Sequence, residues 1–321
     1  MKRDARIFVA GHRGLVGSAI TRELERHEFS RLLLRTHGEL DLEDGTATQR
    51  FFREERPQVV FLAAAKVGGI LANNDYPVDF LMRNLLIQAN VFRSAHAAGV
   101  ERIVLLGSSC IYPRDCPQPI REEYMLTGPL EPTNRPYALA KITGVEMCWS
   151  YNRQYGGRHL AVMPTNLFGP GDNYDLASSH VLPALIRKTH EARMAKAPEF
   201  VIWGSGTPRR EFLYADDLAR AIVFLASLPD EQYDVLVKKD TCPLINIGTG
   251  EDVTIRELGE IVADVVGYKG TIAYDRTKPD GTPRKVLDVS RIRAMGWKPQ
   301  TTLRDGIRLA YEDFLSRPPG H

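Results

Sequence analysis

Cysteine is scarce in this 321-residue chain: Cys110, Cys116, Cys148 and Cys242 are its four thiols, and no two form a CxxC pair. That spacing argues against a disulfide framework or a zinc ribbon and sets the expectation of free thiols, no metal and a reducing, cytoplasmic compartment. Long apolar runs are missing as well, since no uncharged stretch approaches the roughly 18 residues that a bilayer span needs. Ile7-Phe8-Val9-Ala10, behind the charged start Met1-Lys2-Arg3-Asp4-Ala5-Arg6, is too short for the core of a secretion signal. Charge of one sign is absent too: 42 Lys and Arg against 40 Asp and Glu leave +2. With no global field to gather nucleic acid or an anionic membrane, any anionic ligand has to be held locally. Hydrophobic residues at 43% and charged residues at 26% exclude disordered and collagen-like chains. At about 150 residues per domain, the length suggests two domains or one with an appended lobe.

What is present is an alternating rhythm. Ile7–Ala10, Leu32–Arg35, Val59–Ala64, Ile103–Gly107 and Leu160–Met163 read as strands, with helical patterns such as Phe80–Ala98 between them. The spacing predicts an α/β fold built on a doubly wound parallel sheet, Rossmann-like, with right-handed crossovers that cover both faces. After Met163 the rhythm breaks at Pro164-Thr165-Asn166-Leu167-Phe168-Gly169-Pro170-Gly171, where a smaller lobe is expected to begin. That lobe contains predicted helices at Val181–Ala195 and Thr254–Val266 and turns at Gly204-Ser205-Gly206 and Pro279-Asp280-Gly281-Thr282-Pro283.

The first strand runs into Gly11-His12-Arg13-Gly14-Leu15-Val16-Gly17 and then a helix. Glycines in that position permit a tight turn and let backbone N–H groups approach a pyrophosphate at the positive end of the helix dipole. The spacing GxxGxxG is one residue looser than the dinucleotide fingerprint, and its place after the first strand of an alternating chain is what makes it informative. Past the second strand, where NAD sites carry an acid for the ribose hydroxyls, the chain reads Arg35-Thr36-His37. A carboxylate would repel a 2′-phosphate and guanidinium groups would bind it, so Arg13 and Arg35 favour NADP(H).

Tyr137 and Lys141 are four residues apart on one helix face, where a cation can stabilise phenolate. Ser108-Ser109-Cys110 leaves the C-terminal end of a strand, the edge at which such sheets bind ligands. In this order, Gly11/Gly14/Gly17, Ser108, Tyr137 and Lys141 resemble the extended short-chain dehydrogenase/reductase family. Four longer segments narrow the resemblance to its GDP-L-fucose synthase members: 63–70 (AAAKVGGI), 107–113 (GSSCIYP), 164–170 (PTNLFGP) and 203–208 (WGSGTP).

That resemblance implies a bifunctional 3,5-epimerase and NADPH-dependent 4-reductase acting on GDP-4-keto-6-deoxy-D-mannose. Its catalytic residues would be Ser108, Cys110, Tyr137, Lys141 and His180, with Cys110 and His180 exchanging protons at carbons 3 and 5. A thiolate base needs a pKa below about 8.5, which a cationic, polar site could supply. Taken alone, Cys110 reads as a small core hydrophobe and His180 as an inert polar helix cap; the rest of the constellation is what lifts both. For the dinucleotide the resemblance implies Gly11, Arg13, Gly14, Leu15, Val16 and Gly17 on the first turn, and Arg35, Asp41 and Leu42 after the second strand. Ala63 and Ala64 follow the third strand, and Lys141, Pro164, Asn166, Leu167 and His180 complete the set. Lys188, Trp203, Arg210 and Asp280 would hold the GDP-sugar, although Arg187 could replace Lys188. One departure stands out: the family can carry arginine where this chain has His37, which leaves the 2′-phosphate to Arg13 and Arg35.

The implied division is an NADP-binding domain at 1–165 plus about 212–240, and a substrate lobe at about 166–211 plus 241–321. The resemblance also implies a homodimer through the helices Phe80–Ala98 and Tyr137–Tyr155, while the balanced charge gives no expectation of a nucleic-acid or membrane partner. Two rivals remain. One is another sugar-nucleotide epimerase, dehydratase or reductase on the same scaffold; dehydratases generally place an acid beside the catalytic Ser/Thr, where this chain has Cys110. The other is a regulatory protein that senses NADP without turnover, which would not need the complete Ser108/Tyr137/Lys141 set.

Overall fold

The computed structural model describes residues 1–176, 178–238, 240–278 and 280–317. In chain order the strands are β1 (Ile7–Ala10), β2 (Leu32–Leu33), β3 (Val59–Leu62), β4 (Arg102–Leu106), β5 (Leu160–Pro164), β6 (Asn166–Phe168) and β7 (Glu199–Trp203). They continue as β8 (Arg209–Arg210), β9 (Phe212–Tyr214), β10 (Leu244–Ile247), β11 (Val253–Thr254), β12 (Thr271–Asp275) and β13 (Arg284–Lys285). The helices are α1 (Leu15–Arg26), α2 (Gly45–Glu55), α3 (Ile70–Asp75), α4 (Pro77–Ala97), α5 (Arg135–Tyr155) and α6 (Val181–Met194). Then come α7 (Ala215–Ser227), α8 (Asp230–Leu236), α9 (Ile255–Val266), α10 (Ser290–Ala294) and α11 (Leu303–Ser316).

Six strands pair in parallel in the order β10-β5-β4-β3-β1-β2. β1, β3, β4, β5 and β10 are buried at every residue, as expected of a sheet covered on both faces. α1 packs on α7, whereas α4 packs on α2 and α5. From β1 the chain winds outward to β2, then returns to β3 and continues the other way. The switch between β1 and β3 therefore opens a crevice at the strand C-termini, where a ligand can enter.

The sixth strand corrects the expected boundary. Leu244–Ile247 pairs with β5, so the large sheet claims residues beyond 240 that the sequence assigns to the second lobe. Its one polar member explains how it can lie inside: Asn246 is fully buried, yet its side chain accepts from Tyr112 Oη at 2.5 Å and donates to the Ile120 carbonyl at 2.9 Å. Past β5 the remaining strands form smaller sheets. The second lobe holds the parallel pair β7–β12, the sheet β11-β8-β13 and a separate core with Ile186, Leu258, Val262 and Ile307 at its centre. β7 alternates exposed and buried residues, the mark of a strand covered on one side only. α9 starts with a capping box, in which Thr254 Oγ1 accepts from Glu257 N and Glu257 accepts from Thr254 N.

Candidate active site

A cleft of about 1000 Å³ opens at the switch point. At its cofactor end Gly11 sits at φ +83°, and a Cβ there would lie 2.7 Å from Ala64 N. A Cβ on Gly17 would lie 2.1 Å from the Gly11 carbonyl, so the turn admits no side chain at either position. α1 starts at Gly14 without a capping side chain or an acid in its first turn. Its first amides and the helix dipole thus favour an anion, and the cradle fits the pyrophosphate of a dinucleotide. Leu15, Val16, Asp41, Leu42, Ala63, Ala64, Pro164, Asn166, Leu167 and His180 line the same cleft. Asn166 Nδ2 is tied to the Glu211 carbonyl at 2.8 Å, which fixes its orientation. Arg13 is exposed on the turn. Arg35 lines the cleft but is already engaged: Nη2 donates to Glu55 Oε1 at 2.5 Å and Nη1 to the Leu34 carbonyl at 2.9 Å.

The reactive groups gather beyond β4. Gly107 has no room for a Cβ against Met163, whose Cε would be 1.7 Å away. Ser108 is extended and caps a short 3-10 turn, Ser109–Ile111, its Oγ accepting from Cys110 N at 3.4 Å. α5 carries Pro136 in its first turn and ends on Gly156 at φ +70°, both favourable helix punctuation. One turn beyond Tyr137, Lys141 Nζ donates to the Leu106 carbonyl at 2.7 Å and lies 5.7 Å from the centroid of the Tyr137 ring. Phe80 meets that ring edge to face, with centroids 6.2 Å apart. Ser108, Tyr137, Lys141 and His180 all line the cleft, with Cys110 behind Ser108.

Burial dominates the electrostatics here. It pushes the Tyr137 phenol well up, reinforced by Cys110, and pulls the Lys141 ammonium down to about 8. His180 is open to the cleft space, and desolvation by the walls lowers its imidazole pKa. Cys110 runs against the expectation of a depressed thiol: burial pushes it up, outweighing Lys285, the Ser108 hydrogen bond and Lys141, which pull the other way. Lys285, on β13, is a cation that the sequence reading did not single out. Only the sheet β11-β8-β13 brings it to a cysteine 175 positions earlier.

The four expected substrate residues lie on the second lobe. Lys188 Nζ is 5.0 Å from the centroid of the exposed Trp203 ring, and Lys278, also missed in the sequence, is 5.4 Å from it. Arg187, the alternative to Lys188, bonds Glu191 Oε1 at 2.8 Å and the Tyr174 carbonyl at 3.2 Å. Arg210 Nη1 donates to the carbonyls of Thr282 at 2.6 Å and Arg209 at 2.8 Å. Asp280 accepts from Ser205 N at 2.9 Å and Ser205 Oγ at 2.7 Å. The loop after β12 thus brings Lys278 to Trp203 and Asp280 to Ser205, beside Arg210; Pro279 of the expected turn lies outside the described residues. Among the described residues no cluster of His, Cys, Asp and Glu is arranged to hold a metal ion.

Comparison with known proteins places this geometry. Residues 7–237 match the NAD dependent epimerase/dehydratase family. The chain is 52% identical to GDP-L-fucose synthase of Escherichia coli K12 over 97% of this chain and 96% of that one. Among solved structures it resembles a GDP-mannoheptose C4 reductase from Campylobacter jejuni with NADP bound, with TM-score 0.90 and 36% identity over 98% and 100% of the two chains. It also resembles a GDP-L-fucose synthetase from Naegleria fowleri bound to NADP, with TM-score 0.87 and 28% identity over 98% and 94%. On the match across residues 7–237 and the near-complete overlap with the bacterial enzyme, the chain belongs to the NAD dependent epimerase/dehydratase family, in its GDP-L-fucose synthase branch.

Proposed function

We propose that this chain converts GDP-4-keto-6-deoxy-D-mannose to GDP-L-fucose, inverting carbons 3 and 5 and then reducing carbon 4 with NADPH. The observation that carries this reading is the 52% identity to the Escherichia coli synthase over nearly the whole of both chains. A glycine cradle and Ser108, Tyr137, Lys141 and His180 lining one cleft, with the buried Cys110 two residues beyond Ser108, support it.

The ketone at carbon 4 acidifies the hydrogens at carbons 3 and 5. Cys110, as thiolate, removes one of these protons, and His180, as imidazolium, returns a proton from the opposite face. The glycine turn and the residues around it would hold NADPH, which when bound would supply the hydride for carbon 4. Ser108 Oγ orients the keto oxygen and Tyr137 gives it a proton. A phenol whose pKa is pushed up by burial stays protonated until that moment, as a donor must. Lys141, fixed on the Leu106 carbonyl, places its charge where the phenolate forms. On the second lobe, Lys188, Lys278 and Arg210 offer charge to the diphosphate, and Trp203 offers a face for packing.

We further propose a cytoplasmic homodimer. α4 presents Val78, Met82 and Leu86, spaced four apart and exposed, and the adjoining α5 adds the exposed Leu139. A copy of the same face would cover that stripe through isologous contacts. Light scattering should give twice 36.0 kDa, and a monomer at micromolar concentration would refute the dimer. Free thiols and the absence of any described helix long and apolar enough to cross a membrane support the compartment, which cell fractionation tests.

The deciding assay incubates the purified chain with GDP-4-keto-6-deoxy-D-mannose and NADPH and identifies the product by NMR. GDP-L-fucose supports the reading. A 4-reduced sugar with carbons 3 and 5 unchanged would instead mark a simple reductase.

A further inference from the structure

The cofactor cleft ends where the chain leaves β2, and the charges there do not favour a 2′-phosphate as they stand. Two cations and three carboxylates belong to this corner: Arg35 pairs with Glu55, Arg35 and Arg13 act on Glu39, and Asp41 lines the cleft, which leaves −1 without His37. Arg35 is committed to Glu55 and the Leu34 carbonyl, with its guanidinium 5.6 Å from the Phe51 ring centroid. Glu39 accepts from Thr36 N at 2.7 Å and Thr36 Oγ1 at 2.8 Å, and these bonds, with Arg35 and Arg13, hold its carboxyl below the usual range. Glu43, on the same wall, is answered by Arg83 at 2.6 Å.

His37 is the remaining group. It lines the cleft, its side chain is 71% exposed, and its nearest carboxylate, Asp41 Oδ1, stands 3.7 Å away, beyond a hydrogen bond. Imidazole is the side chain that ordinarily changes charge between about pH 5 and 8. An imidazolium at position 37 would bring the corner from −1 to 0 and add an N–H donor to the cleft lining; a neutral imidazole would leave the corner at −1.

We propose that His37, as imidazolium, is the specificity-determining residue for the 2′-phosphate, so that the preference for NADPH over NADH falls as pH rises. This rests on the reading of the cleft as a dinucleotide site. The sign follows from linkage: an imidazole that gains a phosphate partner has its pKa raised in the complex, so its contribution is complete below the free value and is lost above the bound one.

The test measures Kd for NADPH and NADH by fluorescence, without sugar nucleotide, from about pH 5.5 to 8.5. It compares the unmutated protein with His37→Arg and His37→Gln. The phosphate titrates near pH 6 itself, and the arginine variant, charged throughout, carries that effect alone. Relative to His37→Arg, selectivity of the unmutated protein should fall by about tenfold across the range, one pKa unit of coupling. His37→Gln should be the least selective of the three at low pH. If unmutated protein and His37→Gln share one selectivity at every pH, or if unmutated protein follows His37→Arg throughout, the proposal is overturned. Binding of neither dinucleotide by the unmutated protein at about millimolar concentration would overturn the cofactor reading beneath it.

Discussion

The corner behind β4 and the second-lobe face around Trp203 handle charge in opposite ways. Behind β4, Tyr137, Lys141 and Cys110 are withdrawn from water, and burial moves each away from its ordinary pKa. Around Trp203 the charged groups are held mainly by partners: Lys188 and Lys278 over the indole, Asp280 on Ser205, and Arg210, half-buried and pulled down by that burial, on the Thr282 carbonyl. Desolvation tunes proton transfer, because it acts on the difference between protonated and deprotonated forms. Surface partners cannot do that, but they keep flexible side chains near the place where a diphosphate would replace them. Losses at the first corner should therefore appear in rate, and losses at the second in substrate affinity.

The largest break in that contrast comes from the proton-transfer groups. Tyr137→Phe should lower hydride transfer by roughly 10²–10⁴, with solvent deuterium still entering carbons 3 and 5. Cys110→Ser should do the reverse, abolishing deuterium exchange while NADPH affinity stays as it was. Exchange at the unmutated rate in Cys110→Ser would return the thiol to a packing role.

A second, smaller effect is read against pH. Lys141, pulled down to about 8, is charged below that value and loses its charge as pH rises through it. Reduction should fall by about tenfold per pH unit on that limb. Proton exchange should stay level there, because it needs a Cys110 thiolate, raised in pKa, and a His180 imidazolium, lowered in pKa, and the fraction in that pair of states is constant between the two. Lys141→Arg keeps the charge and should remove the alkaline fall. A fall that persists would assign it elsewhere.

At the second lobe, Arg210→Ala should raise KM by about 10- to 150-fold with kcat nearly unchanged, the loss of about 1.5–3 kcal/mol for a bond to a charged group. Trp203→Ala should raise KM only about 2- to 5-fold, as befits an exposed ring. If either variant lowers kcat and leaves KM alone, the separation of the two regions fails.

Much of the reactive corner can be read from local spacing. Tyr137 and Lys141 share a helix face because four residues make about one turn, and Gly11 and Gly17 are adjacent in space because the turn between them is tight. The strand cores were legible for the same reason, since buried parallel strands are unbroken apolar runs. Contacts made by tertiary return were hidden: β10 reaches β5 across 80 residues, and Lys285 reaches Cys110 through short strands with little pattern of their own. Spacing also named the cation but not its engagement, as with Arg35, which the sequence offers to a phosphate and the fold gives to Glu55.

Helix α1, which begins on Gly14 with no capping side chain, has a consequence for how much of the protein survives in a cell. A helix whose opening amides are served by a ligand is more firmly folded when that ligand is bound. At a free dinucleotide concentration a hundred times its Kd, the folded chain gains about 2.7 kcal/mol over the unfolded one. Turnover by proteases follows the unfolded fraction, so the half-life of this chain should lengthen when dinucleotide is plentiful and shorten when it runs low.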